Sequence, residues 1–372
     1  MPYSPRVGDP LATLDTPSMI VDLDLMDSNI STLMSRLLPT GVSIRPHLKT
    51  TKSALLAQRL VAAGAKGGCV AKLSEAEVMC AKGFTDVLIT CEIVGKPKVA
   101  RLVELWKTNR EVKIVIDSEV CAKGISDAIA ESGSTADEKI AVLIDLDVGL
   151  HRTGVQPGAP ALELARCIAM LPHLRLIGVQ GYEGHLQHVH SFEERKAACL
   201  ESMRTLVSTA DALRKDGHEI SVVTTGGTGT AEFCASVHGV TEVQPGSFLF
   251  MDTDYRAAIG GTYSNSLTIL STVLSTQGPR IVTIDAGLKS LTTDSGLAEC
   301  KAPGYEYGVL GDEHGSLEWK DGGEGKPLKV GDRVEMVPSH IDPTINLHDV
   351  YYAYRKGVIE EIWSVDSRGK VQ

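Results

Sequence analysis

Short apolar runs alternate with amphipathic segments along the chain from about residue 41 to residue 244. The runs have the length and the β-branched content of buried strands, and the segments between them repeat at helical spacing. Such alternation is typical of parallel strands with crossover helices, and eight units fit a closed (β/α)8 barrel of the TIM type. The eight predicted strands are residues 42–45, 68–71, 87–91, 112–116, 140–145, 174–180, 220–224 and 240–244.

A doubly wound open sheet would show the same alternation of strands and helices. Its usual dinucleotide fingerprint is missing, because the glycine-rich run at residues 225–230, TGGTGT, does not match G-x-G-x-x-G. The barrel is therefore the favoured α/β fold.

After about residue 260 the helical spacing disappears, and strand-like runs lie between glycine-rich turns such as residues 322–325. This pattern predicts a smaller all-β domain. We expect a barrel domain at residues 25–260 and a C-terminal β domain at 261–372. The strand-like segment 18–23 fits either domain, and we expect residues 1–24 to pack with the β domain. The predicted strands of this domain are 266–274, 280–284, 333–337 and 350–355.

Composition narrows the classes of partner. The chain has 372 residues, 43% of them hydrophobic, and a net charge of −10. The acidic balance argues against nucleic acid and anionic membranes as partners, and no apolar run has membrane-spanning length. No signal peptide is visible, and the eight cysteines form no C-x-x-C pair. We therefore expect reduced thiols in a cytoplasmic protein.

One lysine follows the first barrel strand, in the run RPHLKT at residues 45–50. Barrel active sites form at the carboxyl ends of the strands, so Lys49 is expected at the mouth of the barrel. A lysine partly removed from water can form a Schiff base with an aldehyde cofactor. Lys52, three residues further on, is expected to be an ordinary solvated lysine.

The turns after strands seven and eight are a candidate phosphate site. Residues Thr225, Gly226, Gly227 and Thr228 form the first turn, and Gly246 with Ser247 belongs to the second. Glycines let backbone N–H groups approach an anion, Thr228 and Ser247 offer hydroxyls, and a helix begins near Thr230. The alternative is that the glycines only form tight turns. A Schiff-base lysine together with a phosphate site indicates pyridoxal 5′-phosphate.

Further candidates follow strands five and six. Arg152 and Tyr182 are expected to flank the cofactor ring, although hydrogen bonding within the loops would explain them equally well. His185 is the candidate base, because histidine titrates near neutral pH. His188 and His190 are expected to be surface residues beside a helix.

A second chemical motif is the run SHIDPTINLHD at residues 339–349. On an extended strand, His340 and Asp342 would face the same way and could hold a divalent ion through nitrogen and oxygen ligands. Mn²⁺, Mg²⁺, Co²⁺ and Zn²⁺ all suit such a pair. The alternative is a hydrogen-bonded surface pair.

These motifs together resemble the metal-activated fold-type III pyridoxal phosphate enzymes. That family contains the D-threonine aldolases and the eukaryotic-type D-serine dehydratases, and it is related to alanine racemase. The resemblance implies Lys49 as the Schiff-base lysine, His47 beside the cofactor, His340 and Asp342 as metal ligands, and a homodimer. In the dehydratases the metal motif resembles His-x-Cys, whereas His-x-Asp is similar to the aldolases. Asp342 favours hard ions such as Mn²⁺ or Mg²⁺.

The resemblance implies a small D-amino acid substrate and two candidate reactions. The first is retro-aldol cleavage of D-threonine or another D-β-hydroxy-α-amino acid to glycine and an aldehyde. The second is dehydration of D-serine or D-3-hydroxyaspartate by the same residues. A non-catalytic pyridoxal phosphate-binding protein would lack the β domain, and an alanine racemase-like enzyme would need no metal pair.

Overall fold

The computed structural model describes residues 3–278, 280–320 and 326–372, so the turn predicted at 322–325 lies outside them. The chain divides into two compact units, which we call the β unit and the barrel unit. The β unit comprises Met1–Thr32, Thr50–Ser53 and Ser247–Gly369, and the barrel unit comprises Leu33–Lys49, Ala54–Gly246 and Lys370–Gln372. Within the described residues, none of the helices combines the length and the apolar character needed to cross a bilayer.

Strands and helices are numbered in chain order. The strands are β1 (Ser18–Asp22), β2 (Ser43–Ile44), β3 (Gly68–Val70), β4 (Val87–Ile89), β5 (Lys113–Ile116), β6 (Ile140–Leu146), β7 (Leu174–Gly181), β8 (Val222–Thr225), β9 (Glu242–Val243), β10 (Leu267–Gln277), β11 (Ile281–Ile284), β12 (Glu299–Cys300), β13 (Tyr305–Val309), β14 (Gly315–Trp319), β15 (Arg333–Val337), β16 (Val350–Arg355) and β17 (Val358–Ser364). The α-helices are α1 (Leu23–Leu37), α2 (Ala54–Ala62), α3 (Leu73–Ala81), α4 (Lys96–Thr108), α5 (Glu119–Glu131), α6 (Ala159–Ala169), α7 (Phe192–Lys215), α8 (Ala231–Ala235), α9 (Thr253–Ile259) and α10 (Ile341–Ile345).

The barrel unit contains eight parallel strands in the order β2-β9-β8-β7-β6-β5-β4-β3. A β-bridge between His47 and Cys69 joins the two ends of this order. There the Leu48 N–H donates to the Cys69 carbonyl at 2.7 Å, and the Cys69 N–H donates to the Pro46 carbonyl at 2.9 Å. The predicted (β/α)8 barrel is confirmed, and all eight predicted strands are present.

The inside of the barrel changes character along its strands. An apolar cluster lies in the middle, contributed by Cys69, Leu88, Val115, Ala141, Leu143 and Ile177. Since residues i and i+2 of a strand face the same way, Asp145 continues the face of Leu143 toward the carboxyl end of β6. There the Gln180 amide donates to Asp145 at 2.9 Å, and the Gln244 amide donates to Gln180 at 3.1 Å. A polar layer therefore covers the apolar core at the end where barrel enzymes place their sites.

The β unit is built around a mostly antiparallel sheet whose main path is β13-β14-β11-β10-β1-β16-β17, with β15 and β12 attached to β10. Strand β1 pairs antiparallel with β10 and parallel with β16. The segment predicted at 18–23 therefore belongs to this sheet. The prediction of a mostly β second part is confirmed, although β12, β13, β14 and β17 were not predicted. Its core includes Leu14, Ile20, Leu270 and Ile359.

Serine side chains cap the N-termini of helices α5 and α7. Ser118 accepts a hydrogen bond from the Cys121 N–H at the start of α5, and Ser191 accepts one from the Glu194 N–H at the start of α7. Helix α1 was not predicted from the sequence. The prediction that Lys52 is a solvated lysine was wrong, because this residue is 7% exposed and has a left-handed φ of 48°.

Candidate functional site

Lys49 lies in the segment that closes the barrel. The His47 N–H donates to the Pro245 carbonyl at 3.1 Å, which ties this segment to the end of β9. The ring of His47 is fixed at both nitrogens: Nε2 lies 3.1 Å from the Thr90 hydroxyl, and Nδ1 lies 3.4 Å from the backbone N–H of Lys49. Lys49 is partly buried. Its backbone is thus held at the carboxyl ends of the strands. A fixed backbone suits a lysine whose side-chain amine must lie at a defined position.

In the glycine-rich turn between β8 and α8, residues 225–230, most backbone N–H groups point into the protein. Three of its glycine N–H groups donate to side chains of the barrel unit rather than pointing outward. The pairs are Gly226 with Glu183 (3.3 Å), Gly227 with Thr230 (3.2 Å) and Gly229 with Gln187 (2.9 Å). These three N–H groups are therefore engaged inside the protein, and the hydroxyl-bearing Thr228 of this turn is 8% exposed.

The same turn explains why glycine stands at each of these positions. Gly226 has a φ of +82°, a conformation that side chains rarely adopt. A Cβ at Gly227 would lie 2.5 Å from the Gln187 side-chain oxygen, and a Cβ at Gly229 would lie 2.5 Å from the Gln187 carbonyl. Tight packing against Gln187 therefore excludes larger residues at both positions.

Glu183 is the centre of this arrangement, although no role for it was predicted from the sequence. Its side chain is fully buried. Its two carboxylate oxygens accept hydrogen bonds from donors on the turn and on the neighbouring helices. The donors are the Thr225 hydroxyl (2.9 Å), the Gly226 N–H (3.3 Å), the Thr230 hydroxyl (2.5 Å), the Gln187 amide (3.2 Å) and the Cys234 thiol (3.7 Å).

Arg152 and Tyr182 lie next to each other, and their role at a cofactor ring stays a prediction. The Arg152 guanidinium lies over the Tyr182 ring, 5.4 Å from its centroid. Asp147 shapes the loop of Arg152 by accepting hydrogen bonds from the Gly149 and His151 N–H groups, each at 3.0 Å. Burial opposes ionisation of Asp147, but these hydrogen bonds outweigh it and hold its pKa well below the usual range.

His185 is exposed and lies in the short helical turn Gly184–Leu186. Its ring packs beside Gly149, where an added Cβ would lie 3.2 Å from Cε1 of the ring. His190 is also exposed, whereas His188 is half-buried. An exposed imidazole beside the Arg152 loop is placed to exchange protons with solvent or with a bound molecule.

A pair of carboxyl groups at the ends of β4 and β6, on either side of β5, was not predicted. Glu92 follows β4, Asp145 ends the buried face of β6, and the two carboxyl groups interact electrostatically. Like charges at such a pair disfavour ionisation of both groups. Burial, followed by the negative charge of Asp145, raises the pKa of Glu92 to about 7. The Thr153 hydroxyl donates to Asp145 at 3.0 Å, so the pair supports the loop of Arg152.

In the β unit, His340 and Asp342 do not lie on an extended strand, so this part of the prediction was wrong. Strand β15 ends at Val337, His340 precedes α10, and Asp342 is in the first turn of that helix. Nδ1 of His340 lies 2.6 Å from the Asp294 carboxylate. This bond leaves Nε2 as the ring nitrogen that could bind an ion, as in many metal-ligating histidines.

Asp252 belongs to the same region of the β unit. It is fully buried and accepts hydrogen bonds from the Tyr255 N–H at 2.8 Å and the Ile341 N–H at 3.1 Å. Burial raises its pKa to about 6, and the charges of His340 and Asp342 act on it in opposite directions. The start of α10 is thus anchored by one carboxyl group and His340 by another.

The second predicted phosphate turn spans the boundary in the chain between the two units. Gly246 is the last residue of its barrel-unit segment, and the buried Ser247 begins the short helical turn Ser247–Leu249 of the β unit. The Ser247 carbonyl accepts a hydrogen bond from the Met251 N–H at 2.7 Å.

One cluster within the described residues has the spacing of three metal ligands: Glu183, Cys199 and Cys234. The two sulfur atoms lie 3.5 Å apart. Burial raises the pKa of the Cys234 thiol, which keeps it protonated and able to donate to Glu183. We therefore interpret this cluster as a buried hydrogen-bond group.

Comparison with known proteins connects this geometry to enzymes. Residues 21–254 match the family described as alanine racemase, N-terminal domain, and residues 266–354 match a serine dehydratase domain family. A D-threonine aldolase from Arthrobacter sp is 38% identical, over 99% of this chain and 97% of that protein. The crystal structure of D-threonine aldolase from Filomicrobium marinum superposes with a TM-score of 0.93 at 36% identity, covering 99% of this chain and 100% of the other. D-threo-3-hydroxyaspartate dehydratase from Delftia sp. HT23 gives a TM-score of 0.86 at 30% identity, with 96% and 98% covered.

Proposed function

Because the chain belongs to the alanine racemase N-terminal domain family and its relatives are lyases of D-amino acids, we propose that it is a D-threonine aldolase-type enzyme. It cleaves D-threonine and other D-β-hydroxy-α-amino acids to glycine and an aldehyde. The observation that carries the proposal is the likeness to D-threonine aldolase over essentially the whole chain, which is stronger than the likeness to the dehydratase.

The donor chemistry of the barrel unit fits pyridoxal 5′-phosphate. Lys49 offers a primary amine for an aldehyde, and Arg152 with Tyr182 offers a cation and an aromatic face for a ring. Thr228 offers a hydroxyl beside the glycine turn. When bound, this cofactor supplies the aldehyde that joins the substrate amine and the conjugated ring that accepts electrons released at Cα.

Each of these residues has a proposed task. Lys49 would hold the cofactor through its side-chain amine. Arg152 would lie at the pyridine ring, where its positive charge would disfavour protonation of the ring nitrogen and so limit the electron withdrawal that the cofactor supplies. His185 takes the proton of the β-hydroxyl group, since an imidazole is the base suited to neutral pH. Glycine and aldehyde form when the Cα–Cβ bond breaks and Cα takes up one proton, which balances the proton removed from the β-hydroxyl group.

The donor set of the β unit fits a divalent ion. His340 would bind through Nε2 and Asp342 through its carboxylate, a mixed nitrogen and oxygen pair that suits Mn²⁺ or Mg²⁺. Such an ion lowers the pKa of a hydroxyl group that it contacts. The homodimer and the cytoplasmic location stay predictions, and light scattering tests the first.

Product analysis tests the proposed reaction. The purified protein is mixed with D-threonine, pyridoxal 5′-phosphate and Mn²⁺, with and without EDTA, and L-threonine is the control substrate. Glycine and acetaldehyde from the D isomer, lost with EDTA, are the expected result. Ammonia and 2-oxobutanoate would instead identify a dehydratase, the alternative supported by the dehydratase domain match.

A further inference from the structure

We propose that Tyr351 is a positioning residue for Lys49, because its hydroxyl group holds the short segment that follows this lysine in the chain. This inference rests on the proposed function, since it takes Lys49 as the residue that binds the aldehyde of the cofactor. Tyr351 lies on β16, and its side chain is fully buried.

The chain leaves the barrel unit directly after Lys49. Residues 50–53 belong to the β unit, and the chain returns to the barrel unit at Ala54. Before Lys49, the backbone is fixed by the Leu48 N–H, which donates to the Cys69 carbonyl at 2.7 Å. Lys49 itself lies in a turn. The position of its side-chain amine therefore depends equally on what holds the residues that follow it.

Tyr351 holds this following segment directly. Its hydroxyl donates to the Thr51 carbonyl at 2.6 Å. The tyrosine ring is itself fixed by aromatic neighbours: it stacks on Phe250 with the ring centroids 5.6 Å apart, and the centroid of the Trp363 ring lies 6.1 Å away. A phenylalanine at this position would keep the ring packing and would leave the Thr51 carbonyl without this donor.

The next residue of the segment is held in an unfavourable conformation. Lys52 has a φ of 48°, which residues with a side chain adopt only where the surrounding structure holds them. Its carbonyl accepts a hydrogen bond from the Ser367 N–H at 3.1 Å. The β unit thus fixes the consecutive carbonyl groups of Thr51 and Lys52, one through a side chain and one through its backbone. Tyr351 is the anchor that a single side-chain substitution can remove.

Binding through Lys49 can be separated from binding of the rest of the cofactor. Pyridoxal 5′-phosphate is compared with 4′-deoxypyridoxine 5′-phosphate, which has the same ring and phosphate but no aldehyde for an amine. Both ligands are titrated calorimetrically into protein that has been freed of cofactor with hydroxylamine. EDTA is present throughout, because the charge of Asp342 acts on Tyr351 and effects of a metal must be kept apart.

The variants are Tyr351→Phe and a matched control, Tyr307→Phe. Tyr307 is also a buried tyrosine of the β unit, and its hydroxyl donates to the Ala286 carbonyl at 3.0 Å. We expect Tyr351→Phe to lower the affinity for pyridoxal 5′-phosphate about tenfold, as for the loss of one buried hydrogen bond, with little change for the analogue. Tyr307→Phe should match the wild type with both ligands.

Equal losses for both ligands or an unchanged affinity in Tyr351→Phe, or the same selective loss in Tyr307→Phe, would overturn the inference. If Tyr351→Phe does not fold, Trp363→Phe decides in its place, because it loosens the packing around the Tyr351 ring. It should weaken binding of pyridoxal 5′-phosphate more than binding of the analogue. A wild-type protein that binds the aldehyde no more tightly than the analogue would overturn the proposed function itself, so the two failures are distinguishable.

Discussion

Asp294 accepts a hydrogen bond from Nδ1 of His340 across 2.6 Å. The bond fixes the orientation and the tautomer of the imidazole, which leaves Nε2 directed away from Asp294. We predict that Asp294→Asn weakens Mn²⁺ binding about 10–100-fold, the usual effect of removing such a partner from a ligating histidine. Calorimetric titration with Mn²⁺ measures it, and Asp312→Asn, an exposed position of the β unit, is the control. Equal affinities in the two variants would contradict this role.

Asp342 is predicted to be a direct metal ligand, so its substitution should affect Mn²⁺ binding differently from the substitution of Asp294. Asp342→Ala should abolish Mn²⁺ binding and make any residual turnover insensitive to EDTA. Cofactor absorbance should remain, because Lys49, the proposed Schiff-base lysine, lies in the barrel unit. Asp349→Ala removes an exposed carboxylate of the same segment and is the matched control. Normal turnover in the Asp342 variant would place the metal site elsewhere.

The carboxyl pair of Glu92 and Asp145 predicts a pH dependence of stability. Folding raises the pKa of Glu92 from 4.5 to about 7, mainly through burial. The folded chain therefore binds this proton more tightly than the unfolded chain does. The resulting contribution to the free energy of unfolding is full below pH 4.5 and is lost as the pH rises to 7. In Glu92→Gln this loss of stability with rising pH should be absent.

Urea unfolding at several pH values checks this prediction. Between pH 5 and pH 8, the free energy of unfolding of Glu92→Gln should rise relative to the wild type by about 1–2 kcal/mol, after allowance for solvent screening. Glu104→Gln, at an exposed position of α4, should run parallel to the wild type. Parallel curves for both variants would show that Glu92 titrates normally.

The glycine turn predicts a difference between two similar substitutions. Gly227→Ala meets the side-chain oxygen of Gln187, whereas Gly229→Ala meets the backbone carbonyl of Gln187. We expect Gly229→Ala to lower the free energy of unfolding by about 1–3 kcal/mol and Gly227→Ala by less. Adding Gln187→Ala should rescue only the Gly227 variant. Rescue of both, measured by urea unfolding, would contradict the packing described here.

The barrel could be predicted from the sequence because its strands are buried on both faces and appear as uninterrupted apolar runs. The edges of the second sheet are harder to recognise. Strands β13 and β14 alternate between buried and exposed residues over only five positions each, and β12 has two residues. Helix α1 was missed, and its first residue, Leu23, was assigned to the predicted strand at 18–23.

Lys49, His340 and Asp342 could be selected from the sequence because their residue types and neighbours form recognisable motifs. Glu183 lies inside such a motif, but its role depends on donors about 42 to 51 positions further along the chain. Lys52 looked like a surface residue, yet the fold buries it. The sequence therefore did not show which polar side chains the fold would bury against distant parts of the chain.

Lys49 is the residue that we propose carries the cofactor. Reduction of the protein with borohydride in the presence of pyridoxal 5′-phosphate makes the bond permanent, and peptide mass spectrometry locates it. We expect one modified peptide with the label on Lys49, and loss of both label and visible absorbance in Lys49→Ala. A label on Lys52, or retained absorbance in Lys49→Ala, would contradict it.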